Sequence, residues 1–313
     1  MIMKKTNLQL RLTLALVLLF GIAGCATTPS HQSTAAQGKP SGRHADDPGS
    51  PTRLASSFDD AVQRGDTAWQ GGNTDLALYL YVQALSFQPR DVNTLGKIGS
   101  IHQARGNLDA AHKAFELAAT TAPDDARATS HLGLVMLAQG DMDGADTWLR
   151  RSIAVDSSNW RIYDALGLIA QRRGRYDDAL MFLQRASTLA PTAPGPLLHR
   201  GSVQLAKGDY AMAEATLQQC LQLKQTSDAW HLLGEAQAHR GEYSKALTSL
   251  SQALDIPAAY NAVGEVAMSN HDNKIALDYF QRATEESPVY FVEAQRNAAI
   301  ARERLHVVTA ATH

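Results

Sequence analysis

Several features that would point to an enzyme or a nucleic-acid-binding protein are missing from this sequence. It contains no HExxH, CxxC or GxSxG pattern, so the usual motifs of zinc hydrolases, dithiol sites and serine hydrolases are absent. A formal net charge of −2 gives no electrostatic attraction to nucleic acid. We therefore expect no catalytic site and no nucleic-acid partner.

Metal and cofactor sites are also poorly supported. The eleven histidines are scattered along the chain. On one helix, His231 and His239 would share a face but lie about 12 Å apart along the axis, too far to bind one metal ion together. Gly38-Lys39 is followed by Pro40 and lacks the leading glycine of a phosphate-binding loop. We expect neither a metal nor a cofactor.

The first residues have the pattern of a secretory signal. Lys4, Lys5 and Arg11 precede an uncharged stretch over residues 12–24 that is rich in leucine. A basic flank, a short apolar stretch and small residues at its end are typical of a signal peptide, and the stretch is short for a membrane span. We interpret residues 1–24 as a signal peptide.

This segment ends in Ile22-Ala23-Gly24-Cys25, which resembles the lipobox of bacterial lipoproteins. The resemblance implies that the Cys25 thiol is lipidated and that the chain is cut before it. Ala26 follows, where an aspartate would favour retention in the inner membrane, so the resemblance implies an anchor in the outer membrane, facing the periplasm. A plain secretory signal with an incidental cysteine is the alternative.

A polar segment follows the cysteine. Residues 25–57 are rich in Ser, Thr, Gly, Pro, Gln and His and have almost no large apolar residue. Such a segment cannot bury enough apolar surface to offset its ordering entropy, so we predict a flexible linker. About 30 residues of this composition span on the order of 30 Å.

The remainder of the chain is periodic. Three series of small residues repeat with a step of 34 residues, which shortens to 33 at the end of each series. The first series is Gly65, Gly99, Gly133, Gly167, Gly201 and Gly234. The second is Gly72, Gly106, Gly140, Gly174, Gly208 and Gly241, and the third is Ala77, Ala111, Ala145, Ala179, Ala213 and Ala246. A period of this length indicates stacked helical hairpins, an architecture that typically binds other proteins.

Residues 92–125 illustrate the local pattern. Ile98 and Gly99 share one face of a predicted first helix, and Gly106 ends it because glycine adopts the left-handed conformation at little cost. Asp109 opens a second helix, whose exposed amides its carboxylate can cap. Aspartates at the same position of other repeats are Asp75, Asp143 and Asp177.

The pattern resembles the tetratricopeptide repeat, a 34-residue helical hairpin with small, apolar and proline residues at fixed positions. The fourth repeat carries the resemblance best, with Tyr163, Leu166, Gly167, Gly174, Ala179, Leu183, Ala186 and Pro191. It implies an all-α fold, a right-handed α-solenoid of about seven helical hairpins. The repeats are placed at about 58–91, 92–125, 126–159, 160–193, 194–226, 227–256 and 257–290.

Some repeats depart from the pattern. The sixth is trimmed to about 30 residues, and His271 replaces the turn glycine of the seventh. Cys220 takes a position that holds alanine in other repeats, so we interpret it as a small core residue. With Cys25 lipidated, it has no disulfide partner.

A capping helix is predicted after the seventh repeat. Residues 291–305 combine inward alanines with a charged outer face, which is the polar cap that a solenoid needs at its end. The solenoid then covers 58–305, and 306–313 form a tail. Because the last helix is charged, we expect a monomer.

The resemblance also implies a binding surface, because the first helices of such repeats line a concave side. Family positions that face this side carry an apolar strip formed by Leu134, Leu137, Leu168, Leu198 and Leu205. Polar residues at these positions are Arg127, Arg161, Asp164, Gln171, Arg172, His231 and Glu235. An apolar strip with a charged rim suits an amphipathic helix or extended segment of a protein partner. Alternatively, neighbouring helices bury the leucines and the arginines are only solvated.

A lipobox, a linker and a repeat array together resemble the TadD-type assembly lipoproteins of the tight-adherence (Flp) pilus. This resemblance implies a scaffold for pilus assembly or secretin biogenesis, with a secretin or pilus assembly components as partners. Type IV pilus pilotins and periplasmic adaptors for cell-wall enzymes are alternatives of the same class. A glycan-active enzyme or transferase is a further alternative, against which the lack of a carboxylate or histidine cluster argues.

Overall fold

The computed structural model describes residues 54–287, 289 and 291–311, with side chains as far as Leu305. The predicted signal peptide, the lipidation site Cys25 and the linker up to residue 53 lie outside the described residues, as do Pro288 and Tyr290. The described residues form fifteen α-helices and no strand. The all-α class predicted from the sequence is confirmed.

The helices form seven hairpins and one additional helix. The first helices of the hairpins are α1 (Phe58–Gln70), α3 (Val92–Ala104), α5 (Ala126–Ala138), α7 (Trp160–Arg172), α9 (Pro194–Lys207), α11 (Ser227–His239) and α13 (Ile256–Ser269). The second helices are α2 (Thr74–Phe87), α4 (Leu108–Thr121), α6 (Met142–Val155), α8 (Tyr176–Leu189), α10 (Tyr210–Leu223), α12 (Tyr243–Leu250) and α14 (Asn273–Glu285). The last helix, α15 (Val292–Ala311), packs on α14 and extends beyond the predicted end of the cap.

Glycines of the first series lie where the two helices of a hairpin cross. A Cβ on Gly167 would stand 2.6 Å from Cγ of Leu183, and one on Gly201 would stand 2.6 Å from Cγ of Leu217. Carbon atoms do not approach so closely, so the two helices can pack at this distance only because the side chain is missing. The same arrangement recurs in all seven hairpins.

Glycines of the second series end the first helices, as predicted for Gly106. All six have a positive φ, between 70° and 88°. His271 takes the same position in the seventh hairpin with φ 67°, and it is the one non-glycine residue with positive φ among those described. A residue with a Cβ is strained in this conformation.

The second helices begin before the aspartates that were expected to cap them. Helix α4 begins at Leu108 with Asn107 at its N-cap, so Asp109 lies inside the first turn. The prediction that Asp109 caps this helix is wrong, because Asn107 takes the N-cap position and the Asp109 carboxylate accepts a hydrogen bond from Gln139 Nε2. The equivalent aspartates, which also lie inside first turns, are Asp75, Asp143 and Asp177.

These aspartates instead join neighbouring repeats. Each one accepts a hydrogen bond from a side chain at the end of the next first helix. The four pairs, which we call the inter-repeat clasps, are Arg105–Asp75, Gln139–Asp109, Arg173–Asp143 and Lys207–Asp177. Their aspartates are largely exposed, so water screens each clasp and it adds little to stability. The main effect of the clasps is therefore to fix how neighbouring repeats align, and their effect on the stability of the array is small.

The core runs along the array without a central nucleus. One cluster combines Leu149 of α6, Leu166 of α7 and Leu183 of α8, and similar clusters follow on either side. Cys220 is buried, as predicted, and its thiol donates to the Pro194 carbonyl oxygen at 3.4 Å. Burial raises the pKa of this thiol, so it remains protonated.

The sixth hairpin contains the shortest helix. Helix α12 has eight residues, whereas the other second helices have 13 or 14. A turn over residues 251–254 follows, and α13 begins at Ile256. The sixth repeat is therefore shorter than the others because its second helix is shorter.

Candidate protein-binding groove

The first helices lie side by side along the array. Contacts join α3 to α5, α5 to α7, α7 to α9, α9 to α11 and α11 to α13. Over the described range, successive second helices make no comparable contacts. The side on which the helices are closer is the inner side of a curved array, so the first helices line the concave surface. We call this surface the groove.

The five predicted leucines of the strip are all half-buried. Leu134 and Leu137 pack with one side against the cluster around Leu166, and Leu198 and Leu205 pack against the cluster around Leu217. Neighbouring helices thus cover part of each leucine and leave part of it accessible. The strip retains an apolar surface on α5, α7 and α9.

Three of the seven predicted polar residues form links from one repeat to the next. The Arg127 guanidinium donates to Asn93 Oδ1 at 2.5 Å, and Gln171 Nε2 donates to Ser202 Oγ at 3.1 Å. Asp164 Oδ1 lies 2.8 Å from His199 Nδ1. Asn93, Ser202 and His199 were missed from the sequence because such partners lie 31 to 35 residues away.

The remaining predicted residues stand apart from these links. Arg161 and Arg172 are exposed at opposite ends of α7, and the Arg161 guanidinium lies over the Trp160 ring at 4.7 Å from its centroid. His231 and Glu235 are half-buried on α11, one turn apart. The structure does not bring the two α11 residues together with the leucines of α5.

A cavity of about 180 Å³ opens in the groove closer to the N-terminal end of the array than the predicted strip. Its wall includes Trp69 of α1, Gly96 and Lys97 of α3, and Arg127 and His131 of α5. Of these, only Arg127 was predicted as a site residue. The sequence signal that could have located the cavity is Gly96, a glycine within a helix that belongs to neither periodic series.

Lys97 of this wall is neutralised by a carboxylate. Asp66 Oδ1 accepts hydrogen bonds from Lys97 Nζ at 2.5 Å and from the Tyr81 hydroxyl at 2.6 Å. Burial opposes ionisation of Asp66, but these hydrogen bonds outweigh it and lower the pKa of Asp66. Burial and the bond to Asp66 raise the pKa of Tyr81 well above its ordinary value.

His131 is the second titratable group of the wall. Its ring packs edge-to-face on the Phe115 ring, with 4.9 Å between the centroids. Burial and the nearby Arg127 charge lower the pKa of His131, while Asp125 acts in the opposite direction. His131 is therefore neutral at pH 7. A second cavity, of about 290 Å³, lies on the other side of Arg127 and His131.

The described residues contain no group of three or more His, Cys, Asp or Glu residues placed to hold a metal ion. No helix in the described part of the chain is both long enough and apolar enough to cross a membrane.

Comparison with known families agrees with the geometry. Residues 97–159 and residues 170–233 each match a sequence model of the tetratricopeptide repeat. Together these two segments, 127 of the 313 residues, are similar to tetratricopeptide repeats. The matched segments fall in the second to sixth hairpins. A comparison with curated proteins gave no match.

Several solved structures share the fold. A crystal structure of a tetratricopeptide repeat protein from Parabacteroides merdae matches with a TM-score of 0.55 and 11% identity, over 78% of this chain and 98% of that one. PilF of Pseudomonas aeruginosa matches with a TM-score of 0.52 and 22% identity, over 66% of this chain and 96% of that one. A chain of the APC/C hetero-tetramer Cut9-Hcn1 matches with a TM-score of 0.54 and 19% identity, over 79% of this chain and 53% of that one. At these identities the likeness is one of fold alone.

Proposed function

We propose that this protein is an outer-membrane-anchored scaffold that binds protein partners in its groove and acts in Flp pilus assembly or secretin biogenesis. The proposal that partners bind in the groove rests on the strip of half-buried leucines on α5, α7 and α9. Each leucine keeps apolar surface accessible between polar residues that are linked from repeat to repeat. Such a surface suits an amphipathic or extended segment of another protein.

The position of the scaffold in the cell rests on the N-terminal sequence. The lipobox that ends at Cys25, followed by Ala26, supports a lipid anchor in the outer membrane. The linker would let the array reach on the order of 30 Å from the anchor into the periplasm. Tetratricopeptide arrays generally act as scaffolds without catalysis, and we propose no reaction for this chain.

The pilus assignment rests on the combination of lipobox, linker and repeat array, and the fold likeness to PilF is compatible with it. A type IV pilus pilotin is the alternative within the same class, and seven hairpins with a long linker fit it less well. A periplasmic adaptor for cell-wall enzymes would use the same groove with a different partner.

Chemical crosslinking in intact envelopes tests the proposal. We expect the full-length protein to capture a secretin or a pilus assembly component, and a variant with charges in the leucine strip to lose that capture. The variant Leu168→Asp/Leu198→Asp serves this purpose. Recovery of cell-wall synthases or hydrolases, with no secretin or pilus component, would instead support the adaptor function.

A further inference from the structure

We propose that the cavity at Gly96 is a preformed socket for one uncharged aromatic or branched aliphatic side chain of the partner. The inference rests on the proposed function because it adds a specific subsite to the groove. The Gly96 socket is defined by Trp69, Gly96, Lys97, Phe115, Arg127 and His131. It lies on the first three hairpins and is separate from the leucine strip.

The size of the socket fits one side chain. Its volume of about 180 Å³ is comparable with an apolar cavity of roughly 150 Å³ that binds benzene. The space exists because α3 has no side chain at residue 96. Apart from its chain neighbours, no described side chain lies within 4 Å of the place that a Cβ on Gly96 would take.

Other repeats fill the equivalent position. The residues that lie 34, 68, 102 and 135 positions after Gly96 are Ser130, Asp164, Leu198 and His231. The socket therefore belongs to one point of the array. A partner that inserts a side chain there is held in one register along the groove.

The chemistry of the wall selects an uncharged guest. Trp69 and Val92 provide its accessible apolar surface, while Phe115 and Ala128 line it but are themselves buried. An aromatic side chain that packs on such a surface removes apolar area from water, and the binding free energy becomes more favourable in proportion to that area.

Three polar side chains of the wall have partners within the protein. Lys97 Nζ donates to Asp66, and the Ser100 hydroxyl donates to the Gly96 carbonyl oxygen at 2.8 Å. Arg127 donates to Asn93 Oδ1. A carboxylate guest would have to be desolvated, while the Lys97 charge is already neutralised by Asp66 and water screens the charge of the exposed Arg127, so it gains less than an apolar guest.

The experiment uses the full-length protein and three defined probes. N-acetyl-phenylalanine amide, N-acetyl-leucine amide and N-acetyl-glutamate amide are titrated separately while the indole N–H resonance of Trp69 is followed by NMR. The chain has four tryptophans, so this resonance can be assigned with a Trp69→Phe variant. We expect saturable shifts with the phenylalanine and leucine probes, and at least tenfold weaker binding of the glutamate probe.

Two variants show whether the probes occupy the socket. Gly96→Leu fills the space, and we expect it to weaken binding of the phenylalanine probe at least tenfold. Gly195→Leu is the matched control, because Gly195 is also helical and a Cβ there would also meet open space. It should leave probe binding unchanged.

Each outcome decides the proposal. It is overturned if the phenylalanine probe does not shift the Trp69 resonance, if Gly96→Leu binds it as well as the parent protein does, or if the glutamate probe binds more tightly. None of these readouts involves a pilus component. A failed envelope crosslinking experiment would therefore reject the pilus assignment and leave the socket standing.

Discussion

Gly96 and Gly99 lie one turn apart on α3 and have opposite surroundings. Gly99 belongs to the 34-residue series and lies against the Phe115 ring, so that a Cβ there would overlap ring carbons. Gly96 faces the open space of the socket. Gly99 is required for the packing of α3 on α4, whereas Gly96 weakens α3 and leaves a space beside it.

The same substitution at these two residues should therefore have opposite effects. We expect Gly96→Ala to raise the free energy of unfolding by about 0.5–1 kcal/mol, because alanine is the better helix former. We expect Gly99→Ala to lower it by about 1–3 kcal/mol, because the ring of Phe115 must move. Thermal unfolding followed by circular dichroism measures both, and a shift of both variants in the same direction would contradict this account.

His271 offers a stabilising substitution. Its left-handed conformation costs a non-glycine residue roughly 1–2 kcal/mol, and glycine removes that cost. We expect His271→Gly to raise the unfolding temperature. Gly241 occupies the same conformation one repeat earlier, so Gly241→His is the reverse control and should lower it. An unchanged temperature in His271→Gly would show that the turn is not strained.

The leucine strip can be tested against the opposite face of the same repeats. We expect Leu168→Asp/Leu198→Asp to reduce partner capture at least tenfold, because charges replace the apolar contact surface. The control is Met181→Asp/Met212→Asp on α8 and α10, where the two methionines are 59% and 58% exposed. Equal capture by the two double variants, with unchanged helicity, would exclude the groove as the main binding surface.

The lipid anchor has a direct genetic test. Cys25→Ser removes the thiol that would be lipidated, and residue 25 precedes the predicted solenoid in the sequence. We expect the variant to retain the helical content of the parent protein and to appear in the soluble fraction of the envelope. Cys220→Ser changes the other cysteine and should remain membrane-bound. A Cys25→Ser protein that still fractionates with the outer membrane would exclude this anchor.

His131 should make stability depend on pH. Its pKa is lowered in the folded protein, so on acidification the unfolded chain takes up this proton first, near pH 6.5, and the folded state is disfavoured. The stabilisation is complete above about pH 6.5 and is lost as the pH falls toward the lowered pKa. We expect the difference in unfolding temperature between the parent protein and His131→Gln to be largest at pH 7.5 and to narrow by pH 5.5. A constant difference would contradict the prediction.

Much of the fold could be predicted because the repeat makes each local requirement visible seven times. Gly106 predicted a left-handed turn, and Gly167 predicted a close helix crossing, since each property depends on one residue and its immediate neighbours. The cap at Asp109 was wrong because the helix boundary lies two residues earlier, at Asn107. Periodicity locates a turn but does not resolve its boundary to a single residue.

The groove was harder to predict than the fold. Family positions located Leu168 and Leu198, but their half-burial depends on how closely adjacent first helices approach. The clasp between Arg173 and Asp143 joins residues 30 positions apart, across one complete helix. The socket depends on a side chain that is missing at Gly96, and its walls come from three hairpins. Such features require the relative placement of repeats, which a linear pattern does not contain.

The eight-residue α12 has a mechanical consequence. In a single-file array, a pulling force passes through every hairpin in series, and the hairpin whose two helices pack over the shortest length opens first. Because α12 is about half as long as its counterparts, we expect the sixth hairpin to open first under tension. The five hairpins before it would then remain stacked while the chain beyond them is extended.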